Sequence, residues 1–296
     1  MKKFIKTTIC FIVLITTLLF SVIYVIDISG WSDWAYKRFR SSGEKSLILG
    51  TSRAAQGLRP EIINSEMAGL GYHLPIYNFS FTMMSSPYGE IYYNAIKKKL
   101  STESFRNGLF ILSIDPWSLG FINHETEDSL REKGDCLEGV DYYMRPNIQY
   151  ILKYARPLTY DKALILHDDG WLEVTVPMDT VYVLERSRKK EIEYENMFFV
   201  KSEYRLLWLC KIIRLLKTKG TVILVRIPAA VFFKDLENKH WPTFDEEMDE
   251  FARRENVLYI SFENRFGCYQ MVDGQHIFKD NAAFFTKELC DSIKKR

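Results

Sequence analysis

"LILGTSRAAQGLRP" (Leu47–Pro60) decides how the rest of the chain is read. Leu47, Ile48 and Leu49 form an apolar strand that breaks at Gly50, and Thr51, Ser52 and Arg53 follow before a helix-like segment. In an open α/β sheet such a break lies at the carboxyl edge of the strand, where ligands bind. A hydroxyl placed there faces a crevice, and N–H groups of the next turn can point at a developing negative charge. Arg53 behind it reads as a buried ion-pair partner or as an anion-binding group beside the hydroxyl.

Working outward, two more short apolar runs follow, "PIYNFS" (Pro75–Ser80) and "LFILSID" (Leu109–Asp115), with the helix-like "PYGEIYYNAIKKKL" between them. The alternation resumes with "SEYRLLWLCKIIRLLKTKG", "TVILVRIP", "FDEEMDEFARREN", "VLYISF" and the terminal "NAAFFTKELCDSIKKR". Near-continuous apolar strands alternating with helices predict a parallel sheet covered on both faces, a doubly wound α/β fold. About 121–200 breaks the alternation and reads as an insertion at the sheet's carboxyl edge. Within it, "WLEVTVPMDTVYVLE" (Trp171–Glu185) has the look of a strand or hairpin, and the charges of "ERSRKKEIEYE" look like a solvated face.

The start of the chain is of another kind. After lysines 2, 3 and 6 the sequence is uncharged from Thr7 to Ile26. As a helix that stretch spans about 30 Å, the thickness of a bilayer's hydrocarbon core. A cleaved secretory signal would end in a small-x-small site, and "FSVIYVIDISG" offers none, so an uncleaved anchor is expected. The reading is a cytoplasmic tail 1–6, a transmembrane signal anchor 7–28, a stalk or linker 29–45 and an α/β domain 46–296. The basic tail stays in the cytoplasm, which puts the domain on the periplasmic or extracellular side of the inner (cytoplasmic) membrane. "WSDWAYKRFR" (Trp31–Arg40) suits a stalk helix near the membrane surface or an ordinary linker helix.

With 40 basic and 38 acidic side chains the net charge is +2, and no basic stripe interleaves with stacking aromatics, so nucleic acid is not an expected partner. Cys136, Cys210, Cys268 and Cys290 lie beyond the span and allow three complete pairings, among which sequence cannot choose. No CxxC suggests zinc or a thioredoxin-type site, and His167 in "LHDDGW" reads as a polar turn and not as a metal ligand. His73, His124 and His240 stand alone. Asn78, Phe79 and Ser80 spell a glycosylation sequon on a buried strand and are discounted.

The constellation that could carry chemistry joins the two ends of the domain. In "VDGQHIFKDNAAFF", Asp273 precedes His276 by three residues, just before the last helix. That spacing lets the carboxylate hold one imidazole nitrogen while the other faces a hydroxyl. Ser52 would then attack an acyl carbon as His276 takes its proton. The plainer readings are that Ser52 caps the following helix and that Asp273 is a turn residue beside Gly274.

"ILGTSR", "YNFSFTMMSSPY" and "DGQHIFKDNAAFF", in this order, resemble the SGNH/GDSL hydrolase superfamily in its membrane-anchored bacterial branch. They are also similar to the teichoic-acid D-alanyl-transfer proteins and to exopolysaccharide acetylation proteins. The resemblance covers most of the domain outside the insertion. It implies Ser52 as nucleophile, His276 as base, Asp273 as its orienting carboxylate, and a three-layer flavodoxin-like sheet with no metal or organic cofactor. It also implies an acyl-ester or glycan substrate and allows a membrane acyltransferase as partner. The sequence departs from the family twice: Asn78 and Ser80 stand where an oxyanion glycine is usual, and Asp115 in "LSIDPWSLG" replaces an asparagine. Asn78, Ser80 and Arg53 are therefore candidates for oxyanion or substrate binding, and Asp115 receives no catalytic role. These departures also leave open a non-catalytic scaffold or binding subunit of a polysaccharide-modifying system.

Overall fold

A computed structural model describes residues 1–29, 38, 42–81, 88–124, 148, 151, 163–265 and 267–295. Its centre is a five-stranded sheet in which every neighbouring pair is parallel. The strands are β1 (Leu47–Leu49), β2 (Tyr77–Asn78), β3 (Gly108–Ser113), β8 (Gly220–Arg226) and β9 (Leu258–Ser261), in the spatial order β2-β1-β3-β8-β9. The order reverses between β1 and β3, which makes the carboxyl ends of those two strands the topological switch point.

Residues one apart on a strand face opposite sides, and both sides are apolar here, so two cores form. Leu47, Leu49, Phe110, Leu112, Val222 and Leu224 pack on one face with α4 (Glu90–Lys99), α6 (Glu203–Lys217) and α8 (Phe244–Glu255). Ile48, Leu109, Ile111, Ile223 and Val225 pack on the other with α2 (Ser52–Gly57), α3 (Pro60–Glu66) and α9 (Lys279–Lys294). The expected alternation is thus realised as three layers.

The insertion begins and ends zipped together, because β4 (Gly120–Ile122) pairs antiparallel with β7 (Phe199–Lys201). Inside it, β5 (Leu164–Leu166) and β6 (Leu172–Val174) form a hairpin, while α5 spans Thr180–Glu195. The strand-like reading of Trp171–Glu185 therefore holds only for its first part. From Thr180 onward the Glu, Arg and Lys that follow favour a helix and outweigh the β-branched residues at its start, and only Tyr194 of this helix is buried. Helix α7 (Val231–His240) follows β8 on the same edge.

At the amino terminus, α1 (Lys2–Ser29) is one helix long and apolar enough to cross a membrane. Of the stalk predicted over Trp31–Arg40, Arg38 alone falls within the described residues. Cys210, Cys268 and Cys290 are free thiols, so none of the three complete pairings forms. Cys136 lies outside the described residues.

Candidate active site

The turn after β1 is held from three sides. Gly50 takes φ +141°, its N–H donates to the Tyr92 hydroxyl at 3.1 Å, and that hydroxyl donates to the Phe79 carbonyl at 2.7 Å. A Cβ at Gly50 would lie 2.8 Å from Ser113 Cβ and 3.0 Å from the Ser113 carbonyl, so glycine is what lets the ends of β1 and β3 approach. Thr51 takes the N-cap position of α2 without a side-chain capping bond, and Ser52 is the first helical residue. The capping reading of Ser52 therefore fails. Its half-buried hydroxyl turns the other way and lies 2.8 Å from His276 Nε2.

The loop carrying His276 is equally constrained. Val272 N–H donates to the His276 carbonyl at 2.8 Å, closing a tight turn. Within it Asp273 Oδ1 accepts the N–H groups of Gln275 at 3.2 Å and His276 at 3.1 Å, and His276 Nδ1 lies 2.9 Å from both carboxylate oxygens. Gly274 has φ +92°, and a Cβ there would sit 2.2 Å from the Phe232 ring. Its carbonyl accepts from Ala230 N–H at 2.7 Å, which ties the loop to the start of α7.

Burial would raise the Asp273 carboxyl, but His276 beside it and the two N–H groups outweigh that and hold it at about 2. An ionised carboxylate only accepts, so Nδ1 carries the imidazole proton and Nε2 is left to accept from Ser52. The chain thus brings together a hydroxyl, an imidazole and a carboxylate in a bonded row. The N–H groups of Ser52 and Arg53 lie in the first turn of α2, where no intrahelical acceptor exists, and Thr51 does not cap them.

Three sequence candidates are placed elsewhere. Arg53 is buried, with Nη2 2.6 Å from Glu237 Oε1 and its guanidinium over the Phe233 ring. Glu237 in turn holds Arg226 at 2.8 Å, and Arg226 pairs with Asp245. Of the two readings of Arg53, the structure supports the ion pair, because Nη2 is bonded to Glu237 and the side chain is buried away from the edge. Asn78 Nδ2 donates to the Ala54 carbonyl at 2.9 Å and the Leu58 carbonyl at 3.0 Å, while its Oδ1 accepts from Ser80 N–H at 3.2 Å. Both amide hydrogens are spent closing the end of α2, so Asn78 has none left for an oxyanion. Ser80 is fully buried, its hydroxyl directed at the Ile48 carbonyl.

Asp115, at the end of β3, accepts from Ser118 N–H at 2.8 Å, and the Ser118 hydroxyl accepts from Asp115 N–H at 3.0 Å. Burial raises its carboxyl while nearby Arg53 opposes the rise. It caps the 3-10 turn Pro116–Leu119.

The insertion flanks the bonded row on two sides. Trp171 Nε1 donates to the Gln56 carbonyl at 2.9 Å, under the Arg59 guanidinium, and Lys279 bonds Glu173 at 2.7 Å, so the β5–β6 hairpin leans on α2 and α9. On the other side Arg186 of α5 donates to the Val272 carbonyl at 2.9 Å, and the Tyr194 side chain lies beside Gln275. Glu237, Tyr194 and Tyr92 were not singled out by sequence, and nothing in their local patterns marks them.

A cavity of about 760 Å³ lies away from this edge, between α6 and α8. Its thiol, Cys210, is raised by burial and by Glu255, which disfavours the thiolate, so volume does not mark the chemistry here. Among the described residues no group of His, Cys, Asp and Glu side chains converges as a metal site, and His167 bonds Glu173 at 2.9 Å. No protein-family model matches the chain, and no curated protein does.

Proposed function

We propose that the protein is a membrane-anchored serine esterase or O-acyltransferase of the SGNH/GDSL type, working outside the cytoplasmic membrane on acyl esters of the cell envelope. The observation that carries this reading is the Ser52–His276–Asp273 row, with 2.8 Å between Ser52 Oγ and His276 Nε2 and 2.9 Å between His276 Nδ1 and the Asp273 carboxylate.

In the first half-reaction Ser52 Oγ attacks the acyl carbon and its proton passes to His276 Nε2, while Asp273 stabilises the imidazolium. The new oxyanion is met by the Ser52 and Arg53 N–H groups at the head of α2. Collapse of the tetrahedral intermediate breaks the ester bond, and His276 returns the proton to the departing alkoxide. In the second half-reaction His276 takes a proton from water or a glycan hydroxyl as its oxygen attacks the acyl-serine, and gives that proton to Ser52 Oγ as the acyl–oxygen bond breaks. Water makes the protein an esterase and a glycan hydroxyl makes it a transferase. The flanking insertion is placed to choose between them by limiting access.

The test is labelling of the full-length protein in detergent with a fluorophosphonate, comparing wild type with Ser52→Ala and His276→Ala. Labelling lost in both variants supports an activated serine. Folded wild type that does not label would move the balance to a scaffold without turnover, the reading favoured by Asn78 and Asp115, whose polar atoms bond within the protein at the two positions where the family departs.

A further inference from the structure

We infer that the outer face of α4 and α6 rests on the lipid surface, with phospholipid headgroups as its partner. The inference builds on reading α1 as the membrane anchor. Among the described side chains of α1, those that turn inward are Ile23, Ile26 and Asp27, one helical stripe, and the two isoleucines pack against the core on the α4–α6–α8 side of the sheet. If Thr7–Ile26 fills the hydrocarbon core, Ile23 and Ile26 lie within about one turn of its outer boundary. The domain's core therefore touches α1 where the helix leaves the lipid. The chain returns on the same side, since the Lys99 ammonium, at the end of α4, donates to the Arg38 carbonyl at 3.0 Å.

The surface next to this exit has the chemistry of a membrane interface. Tyr93 of α4 and Trp208 of α6 meet with ring centroids 5.3 Å apart. Lys211 Nζ stands 3.8 Å from the Trp208 ring, and Lys97 Nζ stands 5.7 Å from the Tyr93 ring. Leu207 beside them is 53% exposed. Half-buried aromatic rings with an adjacent exposed leucine suit the boundary between acyl chains and headgroups, and exposed lysines on either side suit lipid phosphates. With α4 and α6 on the membrane and α8 tilted away from it, as its exposed Glu246, Asp249 and Glu250 require beside anionic headgroups, the sheet lies at a shallow angle to the lipid surface. Ser52, at the sheet's carboxyl edge, then opens sideways about one helix diameter, ~10 Å, above the headgroups. That placement selects acyl esters carried at the membrane surface over those deep in a polymer layer.

The experiment uses the full chain with its five cysteines (Cys10, Cys136, Cys210, Cys268 and Cys290) replaced by serine, reconstituted in vesicles of mixed phosphatidylcholine and phosphatidylglycerol. Nitroxides are attached singly at Leu207→Cys, Asn94→Cys, Leu184→Cys on α5 and Asp291→Cys on α9. Collision rates with oxygen and with a water-soluble nickel chelate then report whether each label sits in lipid or water. We expect labels at 207 and 94 to show oxygen-rich, chelate-poor interface values and labels at 184 and 291 to read as aqueous. Aqueous values at both 207 and 94, or an interface value at 184 in their place, would overturn the docking while leaving the anchor intact. Protein released from the vesicles by alkaline wash would overturn the anchor and the docking together, and the fluorophosphonate result stands apart from both.

Discussion

The carboxyl edge of the sheet has two halves that put polar side chains to opposite ends. In one half, Ser52 and His276 hold each other through a single bond at 2.8 Å, with Asp273 behind. In the other, Asn78 and Asp115 have their polar atoms taken up by the backbone around them, and Arg53, although it follows Ser52 in sequence, is buried against Glu237. What separates the halves is where the hydrogen bonds end. A bond that ends on a half-buried hydroxyl at the edge can be exchanged during a reaction, whereas one that ends on buried backbone, or on a buried counter-charge as at Arg53, is needed to keep the fold.

The sharpest way to break this contrast is Asp273→Asn. The amide cannot hold the same imidazole tautomer, so the rate of acyl-ester turnover or of fluorophosphonate labelling should fall by about 10⁴-fold with Ser52 and His276 still present. Thermal unfolding should shift far less than that loss would suggest. A variant that keeps wild-type labelling would make the Asp273–His276 pair a structural turn and erase the distinction. Next in size is Glu237→Ala in the second half. Removing it leaves Arg53 and Arg226 buried without their shared carboxylate, a cost of about 3–5 kcal/mol. Chemical denaturation should show that loss, while whatever fraction remains folded should still label at Ser52.

These two halves were also unequally legible in the sequence. Leu47–Leu49, Leu109–Ser113 and Thr221–Arg226 read as strands because strands buried on both faces must be apolar throughout, and the parallel sheet follows from the helices between them. Ser52 and His276 could be paired on paper because each sits at a strand end or loop with the right neighbour, although their meeting across the domain needed the fold. The committed residues left no such trace. Glu237 lies among charged residues of "VFFKDLENKH", with neither arginine near it in sequence, yet it is 2% exposed between Arg53 and Arg226. Asn78 looks like a turn former, and its real role depends on β2 lying beside the end of α2. In the insertion, the strand or hairpin expected over Trp171–Glu185 stops after Val174: among the described residues no strand pairs with Val181–Leu184, and the charged run that follows carries the helix through.

Asn78→Ala sharpens the comparison through a split in its readouts. With the amide gone, the Ala54 and Leu58 carbonyls lose their buried donor, which should cost about 3 kcal/mol in denaturant unfolding. Labelling of the folded fraction should change little. If Asn78 served the oxyanion instead, the rate would drop by about 10²–10³ with little change in stability.

The smallest effect is the pH dependence of the Asp273–His276 pair. The Asp273 carboxyl is held at about 2 in the folded protein against 3.8 for the free group. A group whose value is lowered by folding stabilises the protein above its unfolded value and loses that contribution as the pH falls through its folded value. The contribution, about 2 kcal/mol by the size of the shift, should therefore be complete above about pH 4 and gone below about pH 2. Acid titration of wild type and Asp273→Asn, followed by denaturant midpoint, should show the two curves separated at neutral pH and converging across that window. The same comparison made with Asp115→Asn should lack this convergence, because burial raises the Asp115 carboxyl and its ionised form is not what folding favours. Parallel curves for the two variants would mean that the exchangeable half of the edge is held no differently from the committed half.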